Sequence, residues 1–167
     1  MKRSFYFFML FVSVGACIAL DLAEGFWLSL DRKTGEIDGG WEFYISGEKL
    51  FGKMLSSPTV RPDAIAIKCR KSYRDFPIDG AVNTMNIAGT PWIFGLVNEK
   101  PGIWTNGHVI DPRNGSIYQC KITFHAADGK KFPEDMLEMR GEILPGIGGS
   151  QFFRKSTRAE VSGLFKG

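Results

Sequence analysis

Between Gly25 and Lys155 apolar and polar residues alternate in run after run, and the spacing of an amphipathic helix is nearly absent. In "WEFYIS", Trp41, Phe43 and Ile45 oppose Glu42, Tyr44 and Ser46. Ser46-Gly47-Glu48 reads as a turn and "KLFGKML" as the return strand, so 41–55 is predicted to be a hairpin. "AIAIKC" sets Ile65, Ile67 and Cys69 on one face. The clearest run is "IYQCKITF", where Tyr118, Cys120, Ile122 and Phe124 face one way and Gln119, Lys121 and Thr123 the other. A period of two is what a sheet with one buried and one wet face requires.

Turn chemistry separates the runs. Asp111-Pro112-Arg113-Asn114-Gly115 joins "IWTNGHVI" to "IYQCKITF"; proline pre-sets φ and Asn-Gly supplies φ > 0. Asp128-Gly129 divides "KITFHA" from "MLEMRGEI", and the glycines of "PGIGGS" read as a turn before "QFFRK". A non-alternating stretch at 79–88 predicts a helical turn. Strands at this spacing make a sandwich or a closed barrel, and closure removes exposed edges. The expectation is one all-β domain over 20–155, an antiparallel meander closed into a barrel, followed by a loose tail over 156–167.

The first 20 residues differ. Lys2 and Arg3 precede an apolar run from Phe5 to Leu20 that Asp21 ends. That is the pattern of an export signal helix, too short to span a bilayer comfortably. Two processing sites compete. Cys17 and Ala19 suit a cut after Ala19, giving a signal peptide of 1–19. Val14-Gly15-Ala16-Cys17 instead resembles a relaxed lipobox, giving a signal of 1–16 and a lipidated Cys17 that would tether the domain to a membrane. The expected location is the periplasm or the bacterial envelope. There, Cys69 and Cys120 could pair as a disulfide or remain two separate buried thiols.

Charge changes the picture only by exclusion. Lys plus Arg is 21 and Asp plus Glu 18, a net +3. Losing Lys2 and Arg3 with a leader leaves 19 basic and 18 acidic residues, too balanced for an electrostatic nucleic-acid binder. A hydrophobic fraction of 44% with 14 Phe excludes a disordered chain. Two His and three Cys give no metal-ligand spacing.

"GIWTNGHVIDPRNGSIYQCKITF" resembles the core signature of a bacterial exported family known as domain of unknown function 2147. The pattern falls on Trp104, Gly107, Asp111, Pro112, Gly115 and Tyr118. The family's opening Gly-x-Trp matches Gly25 and Trp27, and its Leu-x-Gly strand matches Leu50, Gly52 and Met54. Gly89 and Gly95 match the glycines that bracket an apolar run. The closing segment matches Arg140, Gly141, Gly148, Gln151 and Arg154. The resemblance runs over about 25–155 and implies a lipocalin-like β-barrel outside the cytoplasm, with no established activity, no cofactor and no catalytic residues. This chain departs from the pattern at Phe153 (usually Trp), at Gly149 (usually basic) and at Met85-Asn86 (usually Arg-Pro). If those positions line a ligand site, this member's ligand differs.

No residue pattern argues for an enzyme. His108 and Asp111 stand three apart in a strand and so point to opposite faces, and His125 reads as a loop group. Nothing matches a nucleophile elbow, a zinc helix or a phosphate loop. Asp111 has a structural reading, capping its own turn, and a functional one, orienting a ligand at a barrel mouth. With Trp104 and Tyr118 it forms the candidate ligand site. The leading expectation is a barrel that binds a small apolar or amphipathic molecule among inward residues Trp41, Phe43, Ile65, Ile67, Tyr118, Ile122 and Phe124. The alternative is a structural or partner-binding envelope protein whose barrel is filled by side chains, and an enzyme comes third. Membrane contact is expected only through Cys17, and the oligomeric state is left open.

Overall fold

The computed structural model describes residues 21–144 and 146–167; the expected signal helix, the two candidate processing sites and Cys17 lie outside the described residues. Eight antiparallel strands run β1 (Gly25–Leu30), β2 (Ile37–Ser46), β3 (Lys49–Ser56), β4 (Ile93–Lys100), β5 (Ile103–Asp111), β6 (Ser116–His125), β7 (Met136–Leu144) and β8 (Ile147–Lys155). Each pairs with the next, and β8 returns to β1 through Ser29↔Phe153, so the barrel closes without a free edge.

Because the meander is antiparallel, alternate connections gather at opposite ends. Segments 47–48, 101–102 and 126–135 mark one end; 31–36, 57–92, 112–115 and the β7–β8 turn mark the other. The first end is sealed. Residues 21–24 fold across it, with Ala23 fully buried in the interior cluster. The Trp27 indole donates to the Ala23 carbonyl (3.0 Å), and the Trp104 indole donates to Asp21 Oδ1 (2.9 Å). Lys155 Nζ covers the Trp27 ring at 4.2 Å and donates to the Glu24 carbonyl.

Above this plug the sealed half is solid. Trp27, Phe43, Leu50, Ile93, Leu96, Trp104, Ile122, Leu137 and Phe153 point inward, none more than 3% exposed. Phe43 and Phe153 meet edge to face at 5.5 Å, and Trp41 sits on both. Cys120 lies in this interior, as the alternation along β6 requires.

The 57–92 connection has its own core outside the barrel. Ala66, Cys69, Tyr73, Val82, Ile87 and Trp92 pack with Phe94 and Ile110, the outward neighbours of Ile93 and Val109. A 3-10 turn at Val82–Thr84 falls within the stretch expected to be helical.

Several expectations are corrected here. The segment "AIAIKC" is no strand: it makes one isolated bridge, Ile65↔Asn86, and buries Ala66 and Cys69 while Ile65 and Ile67 are exposed. Ala66 N–H bonds the Met85 carbonyl and Cys69 N–H the Ala66 carbonyl, a turn whose inner face has a spacing of three. Ile65 and Ile67 therefore do not line the barrel. Cys69 and Cys120 are both free thiols, one in the outer core and one in the inner, so they do not pair. Gly148 and Gly149 belong to β8 rather than to a turn. The tail is not loose either: α1 (Arg158–Ser162) starts from a Thr157/Glu160 capping box. It buries Val161 over Gly40, where a Cβ would strike the Val161 backbone.

Candidate functional site at the open end of the barrel

At the open end the inward positions change character. Trp41, Val109, Tyr118, Met139 and Gln151 are only partly buried, and Gly39, Gly141 and Gly149 carry no side chain. An added Cβ at Gly141 would make ordinary van der Waals contact with Tyr118 and Val109, at 3.7 Å.

A polar chain lines one wall. A β-bulge between Ser29 and Leu30 shifts the β1–β2 register and lets Asp38 reach the buried Ser29 hydroxyl, which donates to it. The Trp41 indole N–H donates to the same hydroxyl (3.1 Å), and Gln151 Nε2 donates to Asp38 Oδ2 (3.0 Å). Asp38 thus anchors three strands at the lip of the barrel, every buried polar side-chain atom among the described residues having a partner.

Two guanidinium groups stand over this wall. Arg113 lies on the β5–β6 turn and forms a two-pronged pair with Asp111 (2.9 and 3.0 Å). Its proton is held more firmly than usual, first by the Asp111 hydrogen bond and further by the charges of Asp111 and Asp38. Arg32, in the β1–β2 connection, lies against Gly149, its guanidinium filling the place a side chain there would take. Among the described residues Arg32 makes no ion pair.

The three candidate residues therefore separate. Asp111 and Tyr118 reach the open end, whereas Trp104 is sealed into the opposite one with its N–H spent on Asp21. Asp111 also performs the turn role, accepting the Arg113 backbone N–H (2.9 Å) while its carbonyl accepts from Gly115. Of the other motif positions, Gly141 and Gln151 also reach the open end, and several serve the scaffold. Gly107 lets β5 close on β4, Gly115 lets the turn pass under the Lys68 carbonyl, and Pro112 offers its carbonyl to Cys69. On the outer face Arg140 pairs with Glu142 (2.7 Å). Sequence reasoning missed Ser29, Arg32 and Asp38. Ser29 was readable, two positions from Trp27 on the same face; Asp38 was not, because a bulge brings it in.

The histidines lie outside the barrel. His108 stacks on Phe94 (5.6 Å) on the face opposite Val109. His125 is the last residue of β6 rather than a loop group, stacked on Phe132 at 4.3 Å and paired with Glu138 at 3.0 Å. Glu138 also accepts from Ser150 Oγ, and these bonds, with Ser150 foremost, hold its carboxyl below the usual range. In that order the hydroxyl faces a carboxylate and not an imidazole base. Two open clefts, about 200 and 370 Å³, flank the 57–92 connection, the first against Met54 and Phe165 and the second within 69–83.

No curated protein matches the chain. A solved structure of similar fold is protein HP1028 from the human pathogen Helicobacter pylori, described as belonging to the lipocalin family. Its TM-score is 0.64 at 11% identity, covering 87% of this chain and 90% of that one. Residues 25–155, the whole barrel, match the family described as an uncharacterized protein conserved in bacteria, DUF2147, and the chain belongs to that family.

Proposed function

We propose that this protein is an exported carrier barrel that takes a small amphipathic molecule at its open end. The observation that carries the reading is the asymmetry of the interior: one half is packed solid, while in the other Trp41, Val109 and Met139 are only partly buried beside the side-chain-free positions Gly39, Gly141 and Gly149. These residues offer an apolar floor of limited depth. Gln151 and Asp38 supply fixed hydrogen-bonding groups, and Arg32 and Arg113 supply positive charge for a polar or anionic end. A few placed polar groups around an apolar concavity are what small-molecule sites use to orient a ligand. A short chain with an acidic head fits this division better than a long lipid, which would need the packed half. Export is supported by the apolar run of residues 5–20 after Lys2 and Arg3.

A second reading, a side-chain-filled scaffold, draws on the same packed half. Titration with a dansylated undecanoic acid separates the two. Trp41 is the partly exposed member of the four tryptophans, so energy transfer from it should rise on binding and fall in Trp41→Phe. Gly141→Leu should block binding without loss of fold. No transfer in the native protein, or transfer unchanged in Gly141→Leu, would favour the scaffold.

A further inference from the structure

The rim of the open end exposes aliphatic side chains on two segments, which the β5–β6 turn joins. In the β7–β8 hairpin, Ile143, Leu144 and Ile147 are 68%, 60% and 61% exposed. Leu144 pairs with Ile147 across the hairpin, and the β6–β7 register carries Ile117 alongside Leu144. Ile117 follows the β5–β6 turn, whose Gly115 touches the Lys68 carbonyl and accepts from Tyr73. Beyond that contact stand Ile67, 60% exposed, and Ile65.

Charge on the two segments is sorted. From 143 to 153 the chain has no ionisable residue. From 65 to 75 it exposes Lys68, Arg70, Lys71 and Arg74 against Asp75 alone, a net +3 for that segment. Bare aliphatic tips beside exposed basic side chains suit the boundary between acyl chains and anionic headgroups.

We infer that the open rim docks on an anionic lipid surface, with Ile143, Leu144 and Ile147 entering the headgroup boundary and the 68–74 segment lying on the phosphates. This contact is separate from any lipid at Cys17 and does not depend on the carrier reading. It turns the mouth of the barrel toward the membrane.

The test is flotation of the full chain with vesicles of phosphatidylcholine, with and without one third phosphatidylglycerol, at low and high salt. Residues 1–20 are common to every variant, so differences between variants report the rim. Ile143→Ser with Ile147→Ser is expected to reduce binding to the phosphatidylglycerol vesicles at least tenfold. Lys68→Gln with Lys71→Gln should remove the preference for phosphatidylglycerol and its salt sensitivity. All four side chains are exposed, so thermal unfolding should be unchanged. Equal flotation of the native protein and both variants would overturn the inference. So would a dimer in solution that the two serine substitutions dissociate, because the rim would then be a self-interface.

Discussion

The Tyr73 hydroxyl donates to the Gly115 carbonyl at 2.9 Å, tying the 57–92 connection to the β5–β6 turn. Gly115 adopts φ +72°, and a Cβ there would stand 2.5 Å from the Lys68 carbonyl. This bond links the outer core to the lip of the barrel, and it sets the frame on which Arg113 and Asp111 stand.

Burial raises Tyr73 from the ordinary 10.0 to about 12, with a further contribution from Cys69. A raised acid contributes stability that is complete below pH 10 and lost as pH climbs toward 12. The native protein should therefore lose about 2 kcal/mol across that window. Tyr73→Phe should cost about 1 kcal/mol at neutral pH through the unpaired carbonyl, and show a flatter alkaline profile. Urea denaturation at a series of pH values checks both, and an equal alkaline slope in the two proteins would contradict the assignment.

Gly107 sits where β5 bulges beside Asn106, and a Cβ would press on the Leu96 side chain and lie 2.7 Å from the Phe94 carbonyl. Backbone cannot yield as a flexible side chain does. Gly107→Ala should cost about 2 kcal/mol or more. Gly141→Ala meets nothing closer than 3.7 Å and should cost under about 1 kcal/mol. Thermal unfolding of the pair separates a glycine needed for packing from one that leaves space.

Cys69 and Cys120 are 1% and 3% exposed, and burial pushes both thiols up, Cys120 further. Unreactive thiols follow. Ellman's reagent should label neither in the folded barrel and both after denaturation, and reduction should leave the melting temperature unchanged. Rapid labelling of the native protein would show that one core opens readily.

The barrel itself was readable because β2 and β6 each bury one face, so the alternations at 41–45 and 118–124 map directly onto inward positions. The outer core was not. A short extended segment such as 65–69 shows the same alternation as a strand, but with no ladder on either side its turn chose Ala66 and Cys69 for burial and left two isoleucines in water. The glycines at 148 and 149 looked like a turn because their strand role depends on remote partners: the β7 backbone crowds Gly148, and Arg32 fills the place beside Gly149. Thr157-x-x-Glu160 was legible as a helix start, and the few apolar residues after it hid how completely Val161 is buried. Of the open-end site, Asp111, Tyr118, Gly141 and Gln151 came from the motif. Asp38 and Gln151, 113 positions apart, become neighbours only when the barrel closes.

The most direct test of the carrier reading is native mass spectrometry of the protein purified from bacterial cells that produce it, alongside Gly141→Leu. The account predicts a discrete added mass on the native protein that organic extraction removes and that the variant lacks. A bare chain, or an added mass kept equally by Gly141→Leu, would contradict a ligand at the open end.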